Sequence, residues 1–157
     1  MKRLSLLFVA LFFALSCSKQ KEFSTSEVKD ITAKKSYAML IVESESCIYC
    51  KQLKKDLQAL SSELEGIDVY SILYESNARV KHNIGGKEAL NTEEDLARSL
   101  KVSSFPHIFF YDREGRVILH IPGYQPPRTL ACTIRYVKEE RFKQTDYIKY
   151  LSSERCT

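Results

Sequence analysis

The chain has 157 residues, of which 44% are hydrophobic and 28% are charged, and its formal net charge is +4. This length and composition predict one globular domain with a substantial core. The 24 basic residues nearly balance the 20 acidic ones, and no basic face with interleaved aromatic residues is visible, so nucleic acid is not an expected partner.

The first residues have the pattern of an export signal. Lys2 and Arg3 precede a mostly apolar run over 4–15, shorter than the roughly 20 residues that a membrane-spanning helix needs. Ser16 and Cys17 follow, and a cysteine directly after a small residue resembles a bacterial lipoprotein signal, in which that cysteine is acylated. We therefore expect residues 1–16 to be removed, Cys17 to carry lipid and residues 17–26 to form a flexible tether. Simple cleavage nearby is the alternative.

The domain is expected to span 27–157 and to begin with a short helix. Ser24 and Glu27 are spaced as in a capping box, and Val28 and Ile31 would form an apolar side. The next segment, a continuous apolar run over 37–42, is typical of a central strand that is buried on both faces.

A second helix and a second strand follow. Leu53, Leu57 and Leu60 recur at helical spacing and predict an amphipathic helix that ends near Leu60. The segment 67–74 is predicted as a strand, and 75–91 as a polar insertion.

Caps, prolines and apolar periodicity define the remaining elements. They predict, in order, a helix from Thr92 to about Leu100, strands over 107–111 and 117–121, a long helix from Pro126, and a short helix over 146–151. The short loop around Gly115 makes the last two strands antiparallel. With a parallel βαβ unit before them, the fold class is α/β: a central mixed four-stranded sheet flanked by helices, with an extra N-terminal helix and a short C-terminal helix.

Cys47 and Cys50 form a C-x-x-C where the buried strand meets the amphipathic helix. The first cysteine lies at the helix N-terminus, where unpaired N–H groups and the helix dipole favour a thiolate. Cys50 lies one turn further, toward the side of Leu53 and Leu57, and is therefore shielded. This arrangement predicts a Cys47–Cys50 redox disulfide, with Cys47 as the nucleophile and Cys50 as the resolving residue.

A C-x-x-C pair also occurs in metal sites and in structural disulfides. A structural zinc site needs four ligands, and Cys132, Cys156 and the three histidines form no second spaced pair, so no metal site is expected. A purely structural disulfide that closes so short a loop adds little stability. Copper or zinc handling by the two thiols, or a non-catalytic docking domain, remain alternatives to redox catalysis.

The succession of strand, C-x-x-C, helix, a proline that opens a later strand and a glycine after the next strand resembles the thioredoxin superfamily over most of 27–142. The resemblance implies a thioredoxin fold in which the Phe105–Pro106 peptide bond is cis and lies against the redox pair. The backbone of Phe105 would then pair with an extended substrate. Ile48 and Tyr49, between the cysteines, complete the expected substrate-binding set.

The chain departs from that family at two positions before the first cysteine. The buried acid six residues before it is replaced by Ile41, and the preceding tryptophan by Ser46. Glu43 and Glu45 are near enough to substitute for the acid, but both are expected to be solvated.

A subgroup resemblance is carried by five short stretches, which are similar to small periplasmic thioredoxins of the sulfur-oxidation-associated (SoxW-like) type. They are Gly86-Lys87, Thr92 to Ala97, Phe109 to Asp112, Pro122 to Tyr124, and the tail Tyr147 to Leu151. This likeness implies a thiol:disulfide oxidoreductase lipoprotein in the periplasm of a Gram-negative bacterium, anchored to the membrane.

Cys132 and Cys156 are the remaining cysteines. Cys132 lies two positions from Leu130 and Ile134, so we expect it to point away from the core. A Cys132–Cys156 disulfide would pin the tail over the long helix, and two free thiols are the alternative.

The sequence therefore predicts a monomeric disulfide reductase that needs no cofactor. Exported proteins that bear disulfides would be its substrates, and a membrane thiol reductant would be its electron donor. The opposite direction of electron flow, as in a disulfide oxidase or isomerase, is the alternative.

Overall fold

The computed structural model describes residues 27–156, so the expected signal peptide, Cys17 and the tether lie outside the described residues. The strands are β1 (Lys29–Asp30), β2 (Tyr37–Glu43), β3 (Ile67–Leu73), β4 (Arg79–His82), β5 (Ala89–Thr92), β6 (His107–Asp112) and β7 (Val117–Pro122). The α-helices are α1 (Ile48–Ala59), α2 (Glu93–Ser99), α3 (Pro127–Lys138) and α4 (Tyr147–Ser153). Within 27–156, no helix has the length and apolar character needed to span a bilayer.

The main sheet has four strands, as the sequence predicts, and their order is β3-β2-β6-β7. β2 runs parallel to β3 and antiparallel to β6, and β6 pairs antiparallel with β7. Every residue of β2 and β6 is buried, because helices cover both faces of the sheet. The predicted α/β thioredoxin-type architecture is confirmed.

Two apolar cores lie on the two faces of this sheet. Met39 and Ile41 of β2 pack with α1, α3 and α4, whereas Leu40 and Val42 pack on the opposite face with α2 and β4. The alternation follows from the two-residue period of a strand. The continuous apolar run of β2 is therefore required by burial on both sides.

The prediction of an N-terminal helix is wrong for the described residues. Lys29 and Asp30 instead form β1, which pairs in parallel with Val80 and Lys81 of β4. Ile31 is fully buried, and its N–H donates to the Lys81 carbonyl oxygen at 2.9 Å. Pairing with a distant strand thus outweighs the local helical spacing of Val28 and Ile31.

The segment 75–91 is also more ordered than its polar character suggests. It contains β4 and β5, which form a second, three-stranded sheet with β1 in the order β1-β4-β5. Val80 is fully buried in the core on the α2 side of the main sheet. The insertion therefore extends that core.

Cys132 is buried, contrary to the prediction that it points away from the core. Helix α3 is covered on a second side by α4 and the tail, so residues beyond its Leu130–Ile134 face are buried as well: Thr129, Cys132, Thr133 and Tyr136. The predicted C-terminal helix is present as α4.

Glu93, the first residue of α2, connects three elements and gives a test of this packing. The residue is 3% exposed; one carboxylate oxygen pairs with Lys29 Nζ at 2.5 Å, and the other accepts the Leu73 N–H at 2.9 Å. We expect Glu93→Ala to lower the free energy of unfolding by about 2 kcal/mol, because the partly buried Leu73 N–H loses its acceptor. Glu93→Gln keeps an acceptor oxygen and should cost less.

Glu94 is the matched control, since its ion pair with Arg98 lies on the surface of the same helix. Glu94→Ala should cost under about 1 kcal/mol. Urea denaturation of the three variants measures the differences. Equal losses for Glu93→Ala and Glu94→Ala would show that the buried carboxylate is not a structural link.

Candidate active site

Cys47 is the N-cap residue of α1. β2 ends at Glu43, and a turn closed by the Cys47 N–H and the Ser44 carbonyl oxygen at 3.1 Å leads into the helix. The Cys47 backbone is extended, and its Sγ accepts the N–H of Cys50 at 3.0 Å. The first cysteine therefore occupies the end of the helix where N–H groups and the dipole favour negative charge.

The two cysteines of the motif differ in access to solvent. Cys50 is 2% exposed, whereas Cys47 is only partly buried. The two are joined in a disulfide with a Cα–Cα distance of 5.3 Å. An accessible sulfur that is bonded to a sheltered one is the arrangement that stepwise thiol–disulfide exchange requires.

The Phe105–Pro106 peptide bond is cis, as expected from the sequence. Val42 pairs with His107 in the antiparallel register, so Pro106 lies at the same end of the sheet as the loop that carries Cys47. Within the described chain, neither the N–H nor the carbonyl oxygen of Phe105 is in a hydrogen bond. The Phe105 ring packs edge-on against Tyr74, with 5.2 Å between centroids. One backbone position beside the cysteines is thus free to pair with another chain.

The pairing of Tyr49, an expected substrate-binding residue, with Tyr124 was not predicted from the sequence. Tyr49 stacks on Tyr124, and the Tyr124 hydroxyl donates to Oδ2 of Asp56 at 2.6 Å. That hydrogen bond raises the pKa of Tyr124. Asp56 is nearly buried, with 8% of its surface exposed. Asp56 lies three residues after Leu53 and one before Leu57, so helical spacing places it beside the apolar face of α1. This spacing is the sequence signal that could have indicated its burial.

Glu43 is buried, contrary to the prediction that it is solvated. Its carboxylate is paired with Lys54 of α1 at 2.7 Å. The side chain occupies the last position of β2, on the same face as Ile41, so the acid lies one strand period nearer to the motif than in the family pattern. Glu45 is exposed, as expected.

Two histidines lie near Pro106, on the face of the main sheet opposite to α1. His107 is 4% exposed and its ring stacks on Phe109. The distance from His107 Nε2 to His120 Nδ1 is 3.2 Å. Burial is the main cause that lowers the pKa of His107, and the nearby His120 is the second. Across residues 27–156, His, Cys, Asp and Glu side chains form no group of three that could hold a metal ion.

The remaining two cysteines are also joined. Cys132 of α3 and Cys156 form a disulfide with a Cα–Cα distance of 6.1 Å, and both are buried. Thr129 reinforces the link, since its hydroxyl donates to the Cys156 carbonyl oxygen at 2.8 Å. Both cysteines of the second pair are therefore enclosed in the core, whereas in the first pair Cys47 is accessible and Cys50 is buried.

Known proteins give a consistent assignment. The model of the thioredoxin-like domain family matches residues 25–138. A thioredoxin-fold protein from Helicobacter pylori superposes with a TM-score of 0.71 at 24% identity, over 82% of this chain and 85% of that one. A thioredoxin variant from Halobacterium salinarum has a TM-score of 0.51 at 14% identity, over 70% of this chain and 89% of its own.

These structural likenesses are under 25% identical and show the fold alone. Comparison with curated proteins gives no match. The fold together with the Cys47–Cys50 pair supports thiol–disulfide oxidoreductase activity in general. Because the family model covers well over half of the sequence, this chain belongs to the thioredoxin-like domain family.

Proposed function

We propose that this protein is a periplasmic disulfide reductase that acts on exported proteins through Cys47 and Cys50. The observation that carries the proposal is the asymmetry of the pair. Cys47 Sγ accepts a hydrogen bond from the Cys50 N–H at the start of α1, and the Cys50 side chain is buried. One sulfur is therefore prepared to attack, and the other is protected until an adduct forms.

In the reduced protein, the Cys47 thiolate attacks one sulfur of the substrate disulfide. The other substrate sulfur leaves and takes a proton, and a mixed disulfide joins Cys47 to the substrate. Cys50 then loses its proton and attacks Cys47 Sγ, so the second substrate thiol departs and the Cys47–Cys50 disulfide closes. Two electrons have passed from the protein to the substrate, and a membrane thiol reductant restores the dithiol.

Phe105, Pro106, Ile48 and Tyr49 are the proposed substrate contacts. The unpaired N–H and carbonyl oxygen of Phe105 support this role, since they offer an extended chain one strand-like pairing position. Ile48 and Tyr49 are 79% and 62% exposed beside Cys47, so both are open to a partner.

A membrane-anchored lipoprotein of the SoxW-like type in a Gram-negative periplasm is the proposed setting. The support is the sequence of residues 1–17, with Cys17 as the acylated residue and the bilayer as its partner. The membrane fraction should yield a protein whose first residue is Cys17 and whose mass includes acyl chains, and Cys17→Ser should abolish that acylation. A mature protein without lipid would contradict the anchor.

A monomer is proposed, and the support is that β3, one of the two edge strands of the main sheet, is protected. On β3, the Ser71 carbonyl oxygen accepts from Lys29 Nζ at 2.9 Å and the Ile67 carbonyl oxygen accepts from Lys35 Nζ at 3.1 Å. Lysines on an edge strand disfavour pairing with another sheet.

Two measurements on the purified protein test the proposed direction of electron flow. The reduced protein should reduce the disulfides of insulin, and its redox potential should lie below about −200 mV, in the range of reductases. A potential well above that value would assign an oxidase instead. Stoichiometric metal binding without insulin reduction would assign a metal-handling module.

A further inference from the structure

The exposed Tyr49 and the partly buried Tyr124, which together we call the tyrosine platform, form an aromatic surface next to Cys47. Their ring centroids are 5.7 Å apart and the rings are inclined by 28°. Tyr49 lies between the two cysteines of the motif and is 62% exposed. An exposed apolar surface at a reactive sulfur is the kind of patch that binds a partner.

The Tyr124 ring is fixed from two directions. Its hydroxyl donates to the nearly buried carboxylate of Asp56 at 2.6 Å, and Gln52 donates to the other oxygen of that carboxylate at 2.9 Å. The preceding residue, Gly123, donates its N–H to the Pro106 carbonyl oxygen at 2.8 Å. The platform is therefore tied both to α1 and to the cis-proline.

A platform that is rigid before binding prefers aromatic side chains of a substrate to small polar ones. Aromatic side chains stack on aromatic rings with a free-energy gain beyond the burial of area, and little conformational entropy is lost when the receiving rings are already fixed. A small polar side chain gains almost nothing there. The free backbone groups of Phe105 direct an extended segment past Cys47, so the platform meets side chains close to the cysteine under attack.

We propose that the tyrosine platform selects extended protein segments that carry an aromatic side chain next to the target cysteine, and that Asp56 is a positioning residue for Tyr124. The proposal rests on the proposed function of Cys47 and Cys50 as a reducing pair, and it adds the class of substrate.

Two synthetic substrates test the selection. Each is a dimer of one short peptide joined by a single disulfide, with either Phe or Ser beside the cysteine, so whichever sulfur is attacked has the same neighbour. For the wild type, kcat/KM should be about fivefold higher with the Phe peptide. Tyr49→Ala and Tyr124→Ala should bring that ratio close to one, mainly by raising KM for the Phe peptide.

The role of Asp56 is tested by a conservative pair. Asp56→Ala removes the acceptor and should lower the Phe-to-Ser ratio as Tyr124→Phe does, since both leave the ring without its anchor. Asp56→Asn keeps an acceptor oxygen and should restore most of the ratio. Val117, 42% exposed at the far end of β7, is the control, and Val117→Ala should leave the ratio unchanged.

Hydroxyethyl disulfide has no ring to place on the platform, so Val117→Ala should reduce it at the wild-type rate, and the tyrosine variants should lose far less rate on it than on the Phe peptide. A wild type that reduces neither peptide would overturn the proposed function itself. Equal rates on both peptides, or a ratio that Tyr124→Ala leaves unchanged, would overturn the platform alone. A parallel loss of rate on hydroxyethyl disulfide would also overturn it, because the tyrosines would then act on the redox pair.

Discussion

Replacing Cys47 with serine is expected to lower the rate of insulin reduction by at least about a thousandfold, to the background rate. A serine hydroxyl is not ionised at neutral pH, so the N–H groups at the start of α1 have no thiolate to stabilise. Fold and stability should be nearly unchanged, because Cys47 is only partly buried and lies at a helix end. Turnover assays with a dithiol reductant measure the loss.

Cys50→Ser is the matched variant and should fail at a different step. Cys47 still attacks, so one substrate thiol is released per protein and a mixed disulfide accumulates, but nothing resolves it. Mass spectrometry of the adduct distinguishes the two variants, and the same adducts formed in periplasmic extract identify partners. Turnover by Cys47→Ser, or no adduct with Cys50→Ser, would contradict the assigned roles.

Replacing both Cys132 and Cys156 with alanine should lower the free energy of unfolding by about 3 kcal/mol. Their disulfide joins residues 24 apart and so restricts a long segment of the unfolded chain. For a domain of this size, the melting temperature should fall by about 10 °C. Hydrogen bonds also hold the tail, including Thr133 to Tyr147 at 2.7 Å and Tyr136 to the Thr145 carbonyl oxygen at 2.7 Å, so the variant should still fold.

Thermal unfolding under oxidising and reducing conditions isolates the effect of this covalent link. With excess dithiothreitol, wild type and double variant should unfold at nearly the same temperature, since the wild-type link is then open. An unchanged melting temperature in oxidising buffer would show that the link contributes no stability. Insulin reduction should survive, because this pair lies apart from Cys47.

The parts of the fold that local patterns determine were predicted correctly. The apolar run of β2, the leucine spacing of α1 and the turn at Gly115 each follow from burial or backbone geometry within one segment. Gly115 has a φ of +76°, and a Cβ there would lie 1.8 Å from the Asn83 carbonyl oxygen. The C-x-x-C spacing indicated the Cys47–Cys50 disulfide, whereas the cis bond before Pro106 was implied by the resemblance to the thioredoxin superfamily.

The missed features depend on contacts between distant segments. β1 has two residues and exists only because β4 pairs with it. Cys132 is buried because α4 and the tail return over α3, and Glu43 is buried because Lys54 pairs with it. Tyr124 and Asp56 meet across 68 residues, and although helical spacing places Asp56 beside the leucine face, no local pattern indicates its partner. Three-dimensional proximity, which periodicity cannot show, decides each case.

Alkylation of the reduced protein tests the central claim most directly. Iodoacetamide reacts with thiolates, and an ordinary thiol is mostly protonated at about pH 6.5. With the labelled residue located by fragment masses, Cys47 should react at that pH many times faster than free cysteine, while buried Cys50 stays unlabelled. Equally slow labelling of both cysteines would contradict the account, because neither sulfur would then be prepared for attack.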